Sequence, residues 1–208
     1  MITAAHIPNE GATEVVQHGL ASSAAIMDNT SMDSEQIINK AISSLPLIRY
    51  LRSQVTAGMP ASDQTNFKEF HLHSNMKPSD FAAHLVSGSL YGQTKLPIYP
   101  RLFIQAQPVC RVIAVCYIGS HLCGHPGYVH GGALFALFDD IFARCAAMVV
   151  PSGVGMTANL NIDFRKPSIP NRIYVLRARV IKHEGRKVWV NGSVRCLPPL
   201  DSEKYRGF

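Results

Sequence analysis

The chain has 208 residues, of which 47% are hydrophobic and 16% charged, a balance that fits a globular protein with one substantial core and some length to spare. Its formal net charge is +6, but the basic residues are scattered. No Lys/Arg run marks a nucleic-acid-binding tail, and a phosphorylated small ligand suits the charge better. The five cysteines, Cys110, Cys116, Cys123, Cys145 and Cys196, form no CxxC pair and no metal-like Cys/His spacing, so they read as reduced thiols without a metal. No stretch approaches the ~20 apolar residues of a membrane span, and the first residues lack the basic-then-apolar layout of a secretory signal. The expectation is an intracellular protein, cytoplasmic, with the mitochondrion as the alternative, making no stable membrane insertion and binding no nucleic acid.

Residues 1–33 mix Ala, Ser, Thr, Asn and Gly without periodicity and read as a loosely ordered arm. From Ser34 to Arg52, Ile37, Ile38, Ala41, Ile42, Leu45, Ile48 and Leu51 recur at three- and four-residue spacing, which predicts a helix that packs on the main body. Pro46 divides or weakens it. Residues 53–100 are rich in Pro, Gly, Ser and His. They predict a short helix near Ser79–Ser87 and an irregular loop over Gly88–Pro100. Val109–Ile118 reads as a strand, and Cys123–Val129 as a loop around Pro126-Gly127. A long apolar helix follows from Ala133 to Val149. Three strands are predicted after it, at Met156–Phe164, Tyr174–His183 and Lys187–Cys196, the last two joined by a tight turn at Glu184-Gly185. In the first of these, Ala158, Leu160, Ile162 and Phe164 alternate with Thr157, Asn159, Asn161, Asp163 and Arg165. One strand, one buried helix and a meander of strands predict an α+β layout, an antiparallel sheet wrapped over a helix.

The chemistry concentrates at His130-Gly131-Gly132 and the helix behind it. A helix start exposes unpaired N–H groups and the positive end of the macrodipole, and glycine there lets an oxygen approach the bare backbone. The pair equally suits a close helix–sheet contact. His130 is read as orienting this turn by hydrogen bonding rather than as a general base. Two acids, Asp139 and Asp140, lie in the apolar helix, where an unpartnered charge is costly. They project about 100° apart, so both cannot face one target. Asp140 and Arg144 have the (i, i+4) spacing of an ion pair, which leaves Asp139 as the working acid. Gly132 and Asp139 are ~10 Å apart along a helix, too far for one carbonyl to touch both within a chain. A two-fold dimer would supply the acid from a second copy.

Gly124-His125-Pro126-Gly127-Tyr128-Val129-His130-Gly131-Gly132, Asp139, Met156–Phe164 and Glu184-Gly185-Arg186-Lys187, in that order, resemble the PaaI-like group of hotdog-fold acyl-CoA thioesterases. The likeness spans roughly residues 85–196 and is strongest to the subgroup of thioesterase superfamily members four and five and their fungal relatives. The resemblance implies a hotdog domain over 85–208 behind an N-terminal extension over 1–84. It implies a homodimer or dimer of dimers, and hydrolysis of acyl-CoA to a free acid and coenzyme A with no cofactor. The Gly131 amide would bind the thioester oxygen. Asp139 would act as nucleophile or as base for water, and Thr157 would position that water. Asp163, Arg165, Arg186 and Lys187 would contact the coenzyme A portion, and Gly132 is expected as a further substrate contact. A thioesterase for carrier-bound polyketide or acyl groups, or a non-catalytic acyl-CoA-binding protein, are the alternatives. The sequence departs from the pattern in one place: no strand-like run follows Cys196, so the sheet is expected to lack the usual last strand.

Overall fold

The computed structural model describes residues 27–56, 67–70 and 77–200. Two helices open this part of the chain, α1 (Met27–Ser44) and α2 (Pro46–Thr56). Pro46 does divide the helical stretch. It sits at the first position of α2, where its missing N–H costs nothing, and the Arg49 guanidinium donates to the Ser44 carbonyl at 3.0 and 2.8 Å, closing the end of α1. Helix α1 begins at Met27, earlier than the periodicity indicates, inside the stretch expected to be a loose arm. The rest of that arm, residues 1–26, lies outside the described residues.

A three-residue strand β1 (Lys68–Phe70) and a short helix α3 (Pro78–Ala83) follow, the latter running into a π-helical turn at Leu85–Ser89. Then come β2 (Arg101–Gln105), β3 (Arg111–Ile118), the short hairpin of β4 (Cys123–His125) and β5 (Tyr128–Val129), and the long helix α4 (Gly131–Ala147). Strands β6 (Arg172–Glu184) and β7 (Lys187–Cys196) complete the fold. The main sheet has the order β1-β2-β3-β6-β7, and every neighbouring pair is antiparallel. β6 and β7 turn through Gly185-Arg186, one residue later than expected, with Gly185 at φ +56°.

Both faces of the sheet are covered. Val112, Ala114, Cys116, Tyr174, Leu176 and Ala178 pack with Leu134, Leu137, Phe138 and Ile141 of α4. On the other face Phe103, Ile113, Val115, Ile173 and Val175 pack with Ile38, Ile42, Leu45, Ile48 and Leu51 of α1 and α2. The central strands are therefore apolar at consecutive positions, the pattern of a strand buried on both sides. The N-terminal helices form the third layer of one sandwich.

The segment Met156–Phe164 corrects the sequence reading: it is not a strand. It runs as unladdered backbone past α4, with Leu160 and Ile162 half-buried and Met156 91% exposed. Alternation alone cannot make a strand: it records which side chains face inward and does not lay the segment along a sheet edge, where its backbone could form a ladder. Here β7 forms the outer edge of the sheet, and no strand among the described residues lies beyond it.

All five cysteines are free. Cys116 is wholly buried, which pushes its thiol up to about 12. Contact with Cys110 together with burial also pushes the Cys145 thiol up. Only thiolate alkylates readily. At about pH 8, exposed Cys196 and half-buried Cys123 are therefore expected to react in the native chain, while Cys116 and Cys145 react only after unfolding. Peptide mapping after timed alkylation checks this, and early labelling of Cys116 would contradict the packing described here.

Candidate active site

His130 is the residue on which this site is built. Its backbone is extended, at φ −62° and ψ 131°, and it caps α4, its Nδ1 accepting the Gly132 N–H at 2.8 Å. That acceptor role requires the neutral ring with its proton on Nε2. The orienting role inferred from sequence thus corresponds to a specific bond. Two glycines of the motif make room for the ring. A Cβ on Gly132 would stand 2.8 Å from Nδ1, and one on Gly124 would collide with the ring carbons. The ring, and not an approaching ligand, fills the space beside Gly132. The turn is held from outside as well: His130 N–H donates to the Leu122 carbonyl and Val129 N–H to Ser168, both at 2.8 Å.

With Gly132 N–H committed to His130, the amide left open at the helix start is that of Gly131. Among the described residues it has no acceptor. Its neighbour is the Phe164 ring, which would lie 3.2 Å from a Cβ at this position. Gly132, assigned by resemblance to substrate contact, is thus a structural donor.

The two acids separate as the spacing predicts. Asp140 takes a two-pronged bond from Arg144, Nε to Oδ2 at 2.9 Å and Nη2 to Oδ1 at 3.0 Å, and His84 Nε2 lies 3.8 Å away. Asp139 has no cationic partner among the described residues. Its Oδ1 accepts the Thr157 hydroxyl at 2.6 Å. Although Met156–Phe164 is not a strand, it still delivers Thr157 to Asp139 and Phe164 to Gly131, running antiparallel to α4. Asp163, Arg165, Arg186 and Lys187 are all exposed. None of the four forms an ion pair among the described residues.

The structure adds an apolar cavity of about 260 Å³ at the start of α4, lined by Leu85, Leu90, Leu122, Ala133 and Ala136 together with His130. Leu85, Leu90 and Leu122 come from short helical turns and the bend after one of them, too short to show a period, so sequence reasoning had no signal that they meet. Ala133 and Ala136 do share a helix face, but nothing in sequence shows that this face borders a void.

A hotdog α+β domain with a capped, glycine-led central helix and an acid held by a hydroxyl defines the class. Residues 126–200 match the model of the thioesterase superfamily. Over 87 residues it is 38% identical to acyl-coenzyme A thioesterase THEM4 of Mus musculus, a match covering 42% of this chain and 36% of that protein. Fungal relatives include a Candida albicans protein described as uncharacterized and mitochondrial, 27% identical over 66% of this chain and 61% of its own length. MIOREX complex component 3 of Saccharomyces cerevisiae is 30% identical over 55% of this chain and 42% of its own length. The match thus spans little more than a third of the mouse protein. Among the described residues no helix is long and apolar enough to cross a membrane.

Proposed function

We propose that the chain hydrolyses acyl-CoA thioesters, water and thioester giving the free acid and coenzyme A. The observation that carries this reading is the Asp139–Thr157 pair at 2.6 Å on the helix that also presents the open Gly131 amide. Negative charge grows on the carbonyl oxygen as the bond to water forms, and a preorganised N–H at a helix start stabilises it. Asp139, without a cation partner among the described residues, takes the proton from water or attacks the carbonyl itself, and Thr157 fixes its orientation. Where water attacks, the collapsing intermediate expels the thiolate of coenzyme A, which takes the proton that Asp139 removed from water; where Asp139 attacks, the thiolate leaves an acyl–Asp139 anhydride, which water then cleaves to the free acid, restoring the carboxylate and supplying the thiol proton. The apolar cavity beside His130 suits the acyl carbons nearest the thioester. At about 260 Å³ it is below the ~300–1,000 Å³ of pockets that engulf a drug-sized ligand, so a long chain would extend beyond it.

The ~12 Å along the helix between the Gly131 amide and the acid requires a second copy to complete each site. Exposed Phe135, Met148, Val154, Met156 and Phe164, along α4 and the segment beside it, supply apolar surface for such a homodimer. Arg165, Arg186 and Lys187 suit the phosphates of coenzyme A, with Asp163 alongside them. The compartment proposed is intracellular, and the mitochondrial description of the Candida relative is consistent with the mitochondrial alternative.

A panel of acyl-CoA esters assayed with a thiol reagent tests the reading: release of thiol is expected, and tight binding without release would establish a non-catalytic acyl-CoA binder instead. Arg186→Ala is expected to raise KM ~5–20-fold with kcat within about twofold, the loss of one charge-assisted phosphate contact of ~1–2 kcal/mol. An unchanged KM would remove Arg186 from the binding site.

A further inference from the structure

The sheet face opposite α4 carries arginines that the thioesterase reading does not use. Arg111 of β3 stands directly across from Arg179 of β6. Arg177 lies two residues along β6 on the same face, and β7 continues the row with Ser193 across from Arg177 and Asn191 across from Arg179. With Tyr50 of α2 these residues line a cavity of about 580 Å³. None of the three guanidinium groups has a hydrogen-bond or ion-pair partner among the described residues. Arg52, Arg101 and Arg144, by contrast, all engage a carboxylate. Like charges directly opposite each other in a ladder destabilise a sheet, and each guanidinium holds five donors in a fixed fork made for oxygen anions. An occupant with several phosphate oxygens would satisfy all three at once, with the Asn191 amide and Ser193 hydroxyl beside them. Tyr50, 60% exposed, offers a ring against which an aromatic base can lie. The volume falls within the range of small-molecule pockets.

We infer that this cavity binds a nucleoside di- or triphosphate, at a site on the opposite side of the sheet from Gly131 and Asp139. The inference does not depend on thioester hydrolysis and would survive its failure. The test is isothermal calorimetry and thermal unfolding of the full chain with ATP, with inorganic pyrophosphate, and with vesicles containing a bisphosphorylated inositol lipid. ATP is expected to bind, raise Tm and weaken steeply with salt, and to bind at least ~10-fold tighter than pyrophosphate, a factor worth ~1.4 kcal/mol. R177Q/R179Q is expected to lose at least ~10-fold in ATP affinity by the same conversion. The unliganded double variant should melt no lower than wild type, because a like-charge contact has been relieved. Arg186→Ala should bind ATP as wild type does, which separates this cavity from the proposed coenzyme A contacts. Absence of ATP binding, equal affinities for ATP and pyrophosphate, unchanged affinity in R177Q/R179Q, or capture by the vesicles alone would each overturn the assignment.

Discussion

Asp139→Asn is expected to lower kcat by ~10³-fold or more while acyl-CoA binding changes less than about threefold, the range lost with a positioned acid–base group. Asparagine keeps the shape of the side chain, and its amide oxygen can still accept the Thr157 hydroxyl, so the 2.6 Å contact and the path of residues 156–164 should survive. What disappears is the charge that draws a proton from water or attacks the carbonyl. Thr157→Ala removes only the orienting bond, and a smaller loss of ~10–100-fold is expected. The discriminating measurement is single-turnover thiol release beside a direct binding titration. Asp139→Asn turning over within threefold of wild type would exclude the acid from the chemistry. Asp140→Asn is the matching control: it weakens the Arg144 pair and should affect stability more than turnover.

The second large effect concerns stability. Ile42 and Ile48 are wholly buried against the sheet, in the cluster that includes Phe103, Val115, Ile173 and Val175. Truncating a buried isoleucine to alanine typically costs ~2–5 kcal/mol. Ile48→Ala is therefore expected to lower the free energy of unfolding by about that amount, with one transition and an unchanged denaturant slope. An appendage folding separately from the sheet would instead show two transitions, the sheet's own being unaffected. That outcome would refute the description of α1 and α2 as a layer of the same core.

How far this architecture was legible before any coordinates follows from what each element needs in order to form. Helix α4 and strands β3, β6 and β7 are long, and their hydrophobic patterns are self-sufficient, so the sequence locates them to within a few residues. β1 and β2 are three and five residues long, too short to show a period. Met156–Phe164 has the strand pattern without the strand, because alternation records which side chains face inward and says nothing of a ladder partner. At the site, the choice of Asp139 over Asp140 came from helix geometry, which is local. His130's bond to Gly132 was equally within reach, two residues apart. The wall of the apolar cavity, and the row of arginines across β3 and β6, were not. Both arise from register and loop placement, which join residues tens of positions apart.

The outer edge of β7 has a mechanical consequence. A free row of amides and carbonyls is a template on which further chains can stack, and sheets left so exposed tend toward fibres. Here Lys187 stands at one end of that strand and exposed Arg195 near the other, so two such edges meeting head to tail bring positive charge toward positive charge. This repulsion is screened as salt rises. Colloidal stability of the isolated chain is therefore expected to fall as ionic strength increases, and a storage buffer low in salt is the one that keeps it dispersed.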